Sequence, residues 1–367
     1  MFESVYKNKK VLITGNTGFK GAWLSIWLHE LGADVYGLSD RIPTEPSIFE
    51  SLSLKDIIKH HFCDIRNLGE TKKIINEIAP NFIFHLAAQP IVGLSYQNPV
   101  ETIETNVLGT TNVLETFRLL QNECTGIFIT SDKCYENVEW TYGYRETDPV
   151  GGKDIYSASK GACEVIIHGY YESFIKNIRH LKLASVRAGN VIGGGDWADK
   201  RLVPDCIRAW SENRKVEIRN PYSTRPWQHV LEPLSGYLRT GQKLSQNKIP
   251  NGNSFNFGPP GDHSHTVEKI LEKIAHYWNP VHSEGLFEVN EEGKFHEAGL
   301  LKLNCDKALA DLNWISVLSF DDTARFTAEW YKTYYERNEN MMDYTKKQIN
   351  EYTNKAFEKK LAWTQRK

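Results

Sequence analysis

The stretch Gly15-Asn16-Thr17-Gly18-Phe19-Lys20-Gly21 sits between a short apolar run, Val11-Leu12-Ile13-Thr14, and a longer one carrying Ala22, Trp23, Leu24, Ile26, Trp27 and Leu28. The order reads as strand, glycine turn and helix, and few folds accept it. Gly15 and Gly18 let the backbone turn tightly and approach a pyrophosphate, Gly21 lets helix and strand pack closely, and the amino end of the helix attracts the anion. Thr17 and Phe19 complete the turn. A second strand, Asp34 to Ser39, runs into Asp40 at the distance expected of an acid that holds ribose hydroxyls. Asp40 favours NAD and repels a 2′-phosphate, whereas adjacent Arg41 could neutralise one; the balance favours NAD over NADP. The fold class expected is α/β, with a Rossmann-type doubly wound parallel sheet.

Bulk properties narrow the rest. A chain of 367 residues exceeds the size at which one core stops growing, so a nucleotide-binding domain with a smaller partner is expected. Hydrophobic residues make up 40% and charged residues 25%, with a formal net charge of -2, which gives no reason to expect nucleic acid or membrane as partner. A small molecule is left. The cysteines are scattered without a C-x-x-C pair or metal-ligand spacing with histidine, so neither a disulfide framework nor a metal is expected. Lys7-Asn8-Lys9-Lys10 leads straight into a strand without an apolar signal region, and no apolar run reaches a spanning length. The expectation is a soluble cytoplasmic protein.

Further along, Asp64 and Ile65 follow a strand-like piece. Asp64 stands where a carboxylate could meet the adenine amino group, and equally where a helix N-cap would stand. Phe82 to His85 reads as a buried strand that continues through Leu86 and Ala87 to Gln89, and the small side chains let a flat cofactor lie against the backbone. Gln89 offers polar contacts to whatever sits above the nicotinamide. His85, inside an apolar strand, reads as a satisfied core histidine. Between Pro99 and Leu120, Val107, Leu108, Val113, Leu114, Phe117 and Leu120 recur at helical spacing, a stripe for the core or a dimer interface.

The chemistry concentrates between Thr130 and Lys160. Tyr156 and Lys160 are four residues apart, so on a helix they share a face, with the ammonium near the phenol oxygen. Bringing a phenol from ~10 toward ~7 takes about 4 kcal/mol, which a close cation in a partly dry site can supply. A base poised near working pH is the expectation. Ile127 to Thr130 reads as a buried strand whose carboxyl end delivers Ser131, Asp132 and Lys133 to the crevice where open parallel sheets place ligands. An acid beside a base there suggests a second proton transfer. Tyr-x-x-x-Lys also occurs by chance and an Asp-Lys pair is often a solvated turn; behind a dinucleotide fingerprint the two together point to function. The loop with Trp140, Tyr142 and Tyr144 reads as a lid or as packing.

The run from Leu183 to Trp197 starts as a strand and breaks into Gly193-Gly194-Gly195, after which the periodicity changes. The expected boundaries are 8–185 for the NAD-binding domain, to which later segments return, and 186–335 for a smaller mixed α/β substrate domain. Residues 336–367 form a polar extension that docks as an extra helix or frays. Arg201, Arg208, Arg219 and Arg225 follow at loop-like positions, and Arg225-Pro226-Trp227-Gln228-His229-Val230 joins cation, indole and imidazole. Guanidinium forks suit phosphate and an indole suits a base or sugar face, so a nucleotide substrate is expected.

With these motifs together, residues 8 to 335 resemble an extended short-chain dehydrogenase/reductase that modifies nucleotide sugars, a superfamily with the G-x-x-G-x-x-G spacing seen here. Most 4,6-dehydratases of that group carry Thr-Asp-Glu where this chain has Ser131-Asp132-Lys133. The lysine, with Gln89-Pro90, Ser185 to Trp197 and Arg225 to Pro233, resembles the members that take CDP-glucose. The resemblance implies NAD held tightly and regenerated each turnover, with Gly15, Thr17, Gly18, Phe19, Gly21, Asp40, Arg41, Asp64, Ile65, Leu86, Ala87, Gln89, Asn106, Tyr156 and Lys160 on the cofactor side. It implies that Tyr156 takes the proton of the sugar 4-hydroxyl, Lys160 orients the ribose and holds the phenolate, and Ser131 bonds the 4-oxygen. Lys133, as a neutral amine, would take the C5 proton while Asp132 protonates the departing 6-hydroxyl. Gln89, Ser131, Asn190, Arg201, Arg219, Arg225 and His229 fall on the substrate side, with Arg219 and Arg225 at the diphosphate. The product would be CDP-4-keto-6-deoxyglucose, a deoxysugar precursor for surface polysaccharide. The helices around Asn106 and Tyr156 pair across a two-fold axis in relatives, so a homodimer or dimer of dimers is implied. A nucleotide-sugar 4-epimerase is the rival reading, since it needs Tyr156, Lys160 and NAD but keeps the 6-hydroxyl; a non-catalytic NAD-binding scaffold would need neither Tyr156 nor Lys160.

Overall fold

The computed structural model describes residues 1–218, 220–260, 265–279, 286–289, 300–337 and 339–365. Seven strands form its central sheet: β1 (Lys10–Thr14), β2 (Asp34–Ser39), β3 (Lys59–Phe62), β4 (Phe82–His85), β5 (Cys124–Ile129), β6 (Leu181–Ala188) and β7 (Ser254–Phe257). Their spatial order is β7-β6-β5-β4-β1-β2-β3, and every pairing is parallel. The chain reverses its direction of winding between β1 and β4. A ligand crevice opens beyond the carboxyl ends of strands at such a point.

Helices cover both faces, which is why the middle strands read as unbroken apolar runs: every residue of β4 and β5 is buried. Side chains alternate between the layers. Val11, Ile13, Phe82, Phe84, Ile127 and Ile129 join the larger core, while Leu12, Ile83 and Phe128 join the smaller one. On the first face lies α1 (Phe19–Glu30), buried from Gly21 to Leu28. On the other lie α2 (Leu68–Ile78), α3 and α4 (Ile155–Ser173). Helix α3 is built of Pro99–Ile103, a π-helical turn Glu104–Leu108, and Gly109–Arg118. The expected stripe of α3 splits: Val113, Leu114 and Phe117 are fully buried, whereas Leu108 is exposed.

Beyond β6 the chain makes a second layer from α5 (Leu202–Ser211), α6 (Leu231–Ser245) and α7 (Val267–Trp278) with short two-strand ladders, among them Val191–Ile192 against Gln228–His229. Strand β7 then returns to the main sheet beside β6. Two long helices follow, α8 (Phe320–Glu336) and α9 (Met341–Glu358). The polar C-terminal stretch thus forms α9, and its inner face explains why α1 is apolar almost all round: Trp27 meets Tyr352 edge-on at 5.7 Å, and Trp363 stacks on Phe2 at 5.0 Å. Such ring pairs add roughly 0.5–1.5 kcal/mol each beyond the area they bury. Among the described residues no helix is long and apolar enough to cross a membrane.

One carboxyl group pins α9. Glu232, fully buried in the first turn of α6, accepts from the amides of Val317 (2.9 Å) and Leu318 (2.6 Å) and from the Tyr352 hydroxyl (2.9 Å). Burial pushes it up to about 7 against those hydrogen bonds. An ordinary glutamate stands near ~4.3, so over that interval the folded state holds the proton that the unfolded state has released. The stability this contributes is complete below the lower value and is lost as pH rises through the upper one. Thermal melting of the protein should therefore fall between about pH 5 and pH 8 more steeply than melting of Glu232→Gln; parallel profiles would show that Glu232 is ionised throughout.

Candidate active site

The glycine turn is locked on three sides. Gly15 has φ +73°, and a Cβ there would lie 2.8 Å from the amide nitrogen of Ala87; a Cβ on Gly21 would lie 2.2 Å from the Gly15 carbonyl oxygen. At such distances only glycine fits. The amide of Leu86 donates to the Thr14 carbonyl (3.1 Å) and that of Ala87 to Thr14 Oγ1 (3.2 Å), so the end of β4 is fastened to the end of β1. Thr17 Oγ1 donates to the Arg41 carbonyl (2.7 Å), which brings the end of β2 to the same place. Helix α1 starts at Phe19 from the N-cap Gly18, with no capping side chain and no acidic residue in the first turn. Its leading amides are left for an outside anion. Asp40 and Arg41, linked at 3.5 Å, both keep solvent-accessible side chains at the edge of the turn. These residues fit a dinucleotide: a pyrophosphate at the helix end and a ribose at Asp40.

Three residues expected on this side also have partners within the protein. Asp64 neither caps a helix nor stands free, because Arg66 grips its carboxylate through Nε (2.8 Å) and Nη2 (2.6 Å), and Asn67 caps α2. Gln89 spends its side-chain amide on the Ile91 carbonyl (3.1 Å) and Thr102 (3.0 Å). Asn106 is 1% exposed and braces the frame: it accepts from the Gln89 amide (2.7 Å) and donates to the Gln89 carbonyl (3.1 Å) and Ser159 (2.9 Å). Both amides hold strand end to helix. Ile65 is buried against Gly109. His85 is the satisfied core histidine expected, bonded to Thr14 (2.7 Å) and Thr110 (3.0 Å) and lowered to about 3 by burial and then by the Lys160 charge.

At the chemical end, Asp154 caps α4 by accepting from the Ser157 amide (2.9 Å) and hydroxyl (2.6 Å). The helix therefore starts at Ile155, and Tyr156 and Lys160 share its inner face, 7% and 6% exposed. One turn on, Glu164 is paired with Arg187 of β6 through Nε (2.9 Å) and Nη2 (2.8 Å), and takes further bonds from Ser185 (2.8 Å) and Thr130. Burial opposes ionisation of Glu164, but the Arg187 charge and these bonds hold it below the ordinary carboxylate range. Arg187 also donates to the Tyr135 hydroxyl (2.6 Å). Helix α4, the end of β5 and β6 are thereby one rigid unit.

Ser131, Asp132 and Lys133 leave β5 in a single tight turn, in which Ser131 Oγ accepts from the Lys133 amide (3.3 Å) and donates to Asp132 (2.9 Å). Asp132 is 4% exposed and leans over Gly189, where a Cβ would lie 1.7 Å from its Oδ2. Asn190, next in chain, has φ +52°, a left-handed conformation that asparagine tolerates, and turns its amide to Asp132 (3.4 Å). Asp132, Lys133, Asn190, Arg225 and Leu301 line one small cavity. Arg201 pairs with buried Asp196 (2.7 Å), and its charge reaches Tyr156.

Burial pushes Tyr156 up to about 12; the Ser131 hydroxyl and the Arg201 charge oppose that rise, while the acids Asp132 and Asp154 add to it. Lys160 is itself enclosed, and burial lowers its own pKa. His229 is also corrected. It is 0% exposed, packed edge-on against Trp23 and Phe326, and lowered to about 3 by burial, so it belongs to the core and does not face a substrate. Arg219 lies outside the described residues. The sequence reading missed the roles of Glu164 and Asp196, which only the tertiary pairs reveal.

A family model described as GDP-mannose 4,6 dehydratase matches residues 12–327. The CDP-glucose 4,6-dehydratase of Salmonella typhimurium is 44% identical over 354 residues, covering 95% of this chain and 98% of that protein. Among solved structures, a UDP-glucose 4-epimerase of Thermotoga maritima with UDP-glucose superposes with a TM-score of 0.76 at 20% identity, covering 89% of this chain and 100% of that one. A dTDP-glucose 4,6-dehydratase of Bacillus anthracis in complex with NAD gives 0.73 at 19% identity, covering 89% and 97%. These two likenesses concern the fold.

The contact between Gly189 and Asp132 gives a direct test. Gly189→Ala leaves no room for the carboxylate, and overpacking of this kind costs about 1–3 kcal/mol. Chemical denaturation should register that loss; an unchanged midpoint would mean that Asp132 swings aside freely.

Proposed function

The chain belongs to the GDP-mannose 4,6-dehydratase family, and on that premise we propose that it converts CDP-glucose to CDP-4-dehydro-6-deoxyglucose and water, for deoxysugar synthesis. The observation that carries this reading is the meeting of Asp132 and Lys133 with Asn190 and Arg225 around one cavity, beside Tyr156 and Ser131. NAD, with its pyrophosphate held at the glycine turn and its ribose at Asp40, would when bound supply redox chemistry at C4 and C6 without net consumption. Tyr156 takes the proton of the 4-hydroxyl, and Ser131 bonds the oxygen as it becomes a ketone. Lys160, enclosed one turn along α4, orients the cofactor and supports the phenolate. The ketone acidifies the C5 hydrogen, which Lys133 removes as an amine. Asp132 gives its proton to the 6-hydroxyl, and water departs. As C6 is reduced, Lys133 gives its proton back to C5, and the proton held by Tyr156 is released to restore Asp132, which completes the cycle.

An epimerase has no task for an acid and a base at C5 and C6, and Asp132 with Lys133 therefore argue for elimination. Arg225 is assigned to the diphosphate, with Asn190 and Arg201 nearby. The exposed side chains of Val100, Ile103 and Leu108 on α3 and Val165 on α4 support a homodimer or dimer of dimers built on these helices. All 6 cysteines are unpaired, which suits a reducing compartment, and we place the protein in the cytoplasm on that ground.

The test is incubation of purified protein with CDP-glucose, with and without added NAD, followed by product mass and cofactor absorbance. Loss of one water without net NADH is the expected outcome. An unchanged mass with an inverted C4 would make the protein an epimerase, and no reaction would mean that the sugar nucleotide is wrong. In the same assay Arg225→Ala should raise KM several tens-fold, since charge-assisted bonds to phosphate contribute roughly 1.5–3 kcal/mol; an unchanged KM would move Arg225 away from the diphosphate.

A further inference from the structure

The turn that carries Gly189 and Asn190 is held by a side chain that takes no part in the reaction steps. Gln228, in the short strand Gln228–His229, is 2% exposed. Its side-chain amide donates to the Gly189 carbonyl (2.9 Å) and to the Phe257 carbonyl (3.0 Å), and its backbone amide donates to the Asn190 carbonyl (3.2 Å). Gly189 follows the end of β6 and Phe257 ends β7, so one side chain ties two neighbouring strand ends together. Its Oε1 accepts from nothing among the described residues. What the amide contributes there is its two hydrogens.

The same turn is the seat of Asp132. The carboxyl group lies against the bare Cα of Gly189, where a Cβ would stand 1.7 Å from Oδ2, and that Oδ2 accepts from the Asn190 amide at 3.4 Å. From the other side the Ser131 hydroxyl donates to Oδ1 at 2.9 Å. A protonated carboxyl keeps acceptor capacity beside its one O–H, so this seat accommodates Asp132 as an acid. Asp132 and Asn190 line one cavity with Lys133 and Arg225, and the seat thus borders the space of the reacting groups.

We propose that Gln228 is a positioning residue for the elimination, holding the Gly189–Asn190 turn so that the Asp132 carboxyl group faces the departing 6-hydroxyl. The proposal rests on the dehydratase reading, with Asp132 as the acid. In the step, the C5–H bond breaks and Lys133 takes the proton; the bonding pair forms the C5–C6 double bond. The C6–O bond breaks with its pair on oxygen, and the Asp132 proton completes a water molecule. Proton transfer of this kind requires the acid within hydrogen-bond reach of the leaving oxygen. Ser131 holds the carboxyl group from β5 only; β6 holds it through a turn whose tie to β7 is the Gln228 side chain. Oxidation at C4 is the work of Tyr156 on α4, and the two steps therefore respond differently when that tie is lost.

The experiment mixes NAD-loaded enzyme rapidly with saturating CDP-glucose and follows the near-ultraviolet absorbance of reduced nicotinamide along with product mass. Gln228→Met keeps the length of the side chain and removes both hydrogens. It should lower kcat roughly ten- to hundred-fold, the loss expected when a reacting group shifts by about 1 Å, with KM nearly unchanged. Reduced nicotinamide should accumulate beyond the wild-type level, because oxidation proceeds while elimination lags. Asn190→Gly keeps the left-handed backbone and removes only the amide that reaches Asp132, so it should give the same accumulation with a smaller loss of kcat; it carries the test if Gln228→Met does not fold. On an Asp132→Asn background Gln228→Met should cause little further loss, whereas a merely structural role would add its full effect. Unchanged kcat, a change in KM alone, additive losses, or slowed turnover without reduced nicotinamide would each overturn the proposal. Wild-type enzyme that leaves CDP-glucose untouched would instead sink the dehydratase reading itself.

Discussion

A carboxylate and a guanidinium that solvent does not reach, Glu164 and Arg187, hold the catalytic end of this protein in place. Tyr156, Lys160 and Glu164 recur at intervals of four on α4, so one face of the helix presents two groups to the crevice and buries the third as an anchor. Arg187 meets that anchor from β6, and Thr130 at the end of β5 bonds to it as well. The strand that delivers Ser131, Asp132 and Lys133 is thus tied to the helix that delivers Tyr156 and Lys160. Removing one member of a buried pair leaves the other uncompensated, at a cost of about 3–5 kcal/mol. Precision is the larger issue, because a misplacement of about 1 Å between reacting groups can cost about 10²-fold in rate.

Around that anchor the charges are unequal. Lys133, Lys160, Arg201 and Arg225 outnumber the acids Asp132, Asp154 and Asp196 there, and Asp196 is already paired with Arg201. A cleft lined by one sign of charge concentrates ligands of the other sign, and a sugar diphosphate is such a ligand. At Tyr156 burial and the nearby acids raise the phenol's pKa, while the Ser131 hydroxyl and the Arg201 charge oppose them.

What the sequence displayed plainly was local. Strand, glycine turn and helix around Gly15 to Gly21, the acid at Asp40, the buried strand Phe82 to His85 and the pair Tyr156 and Lys160 are all patterns within a few residues, and the structure reproduces them. What it did not display depends on distant partners. Gln89 and Asn106 also fasten each other's segments, because the end of β4 would otherwise leave amides unsatisfied, and that bracing is invisible in the local pattern. His229 sits in a motif full of charge and aromatic rings, yet its strand is short and its side chain turns inward to Trp23. The approach of Asp132 to Gly189 joins residues of different strands, and no spacing announces it.

The π-helical turn at Glu104–Leu108 has a mechanical meaning. One residue more or fewer rotates everything downstream in an α-helix by about 100°, and the wider turn absorbs such a step within five residues. The half before it aims Thr102 at Gln89; the half after it aims Thr110 at His85 and Asn112 at the carbonyls of Ile65 and Arg66. No single α-helical phase serves both targets. The turn is a phase adjuster between two strand ends whose separation does not match the helical pitch, and shortening it by a residue would force α3 to release one end of the cofactor side in order to keep the other.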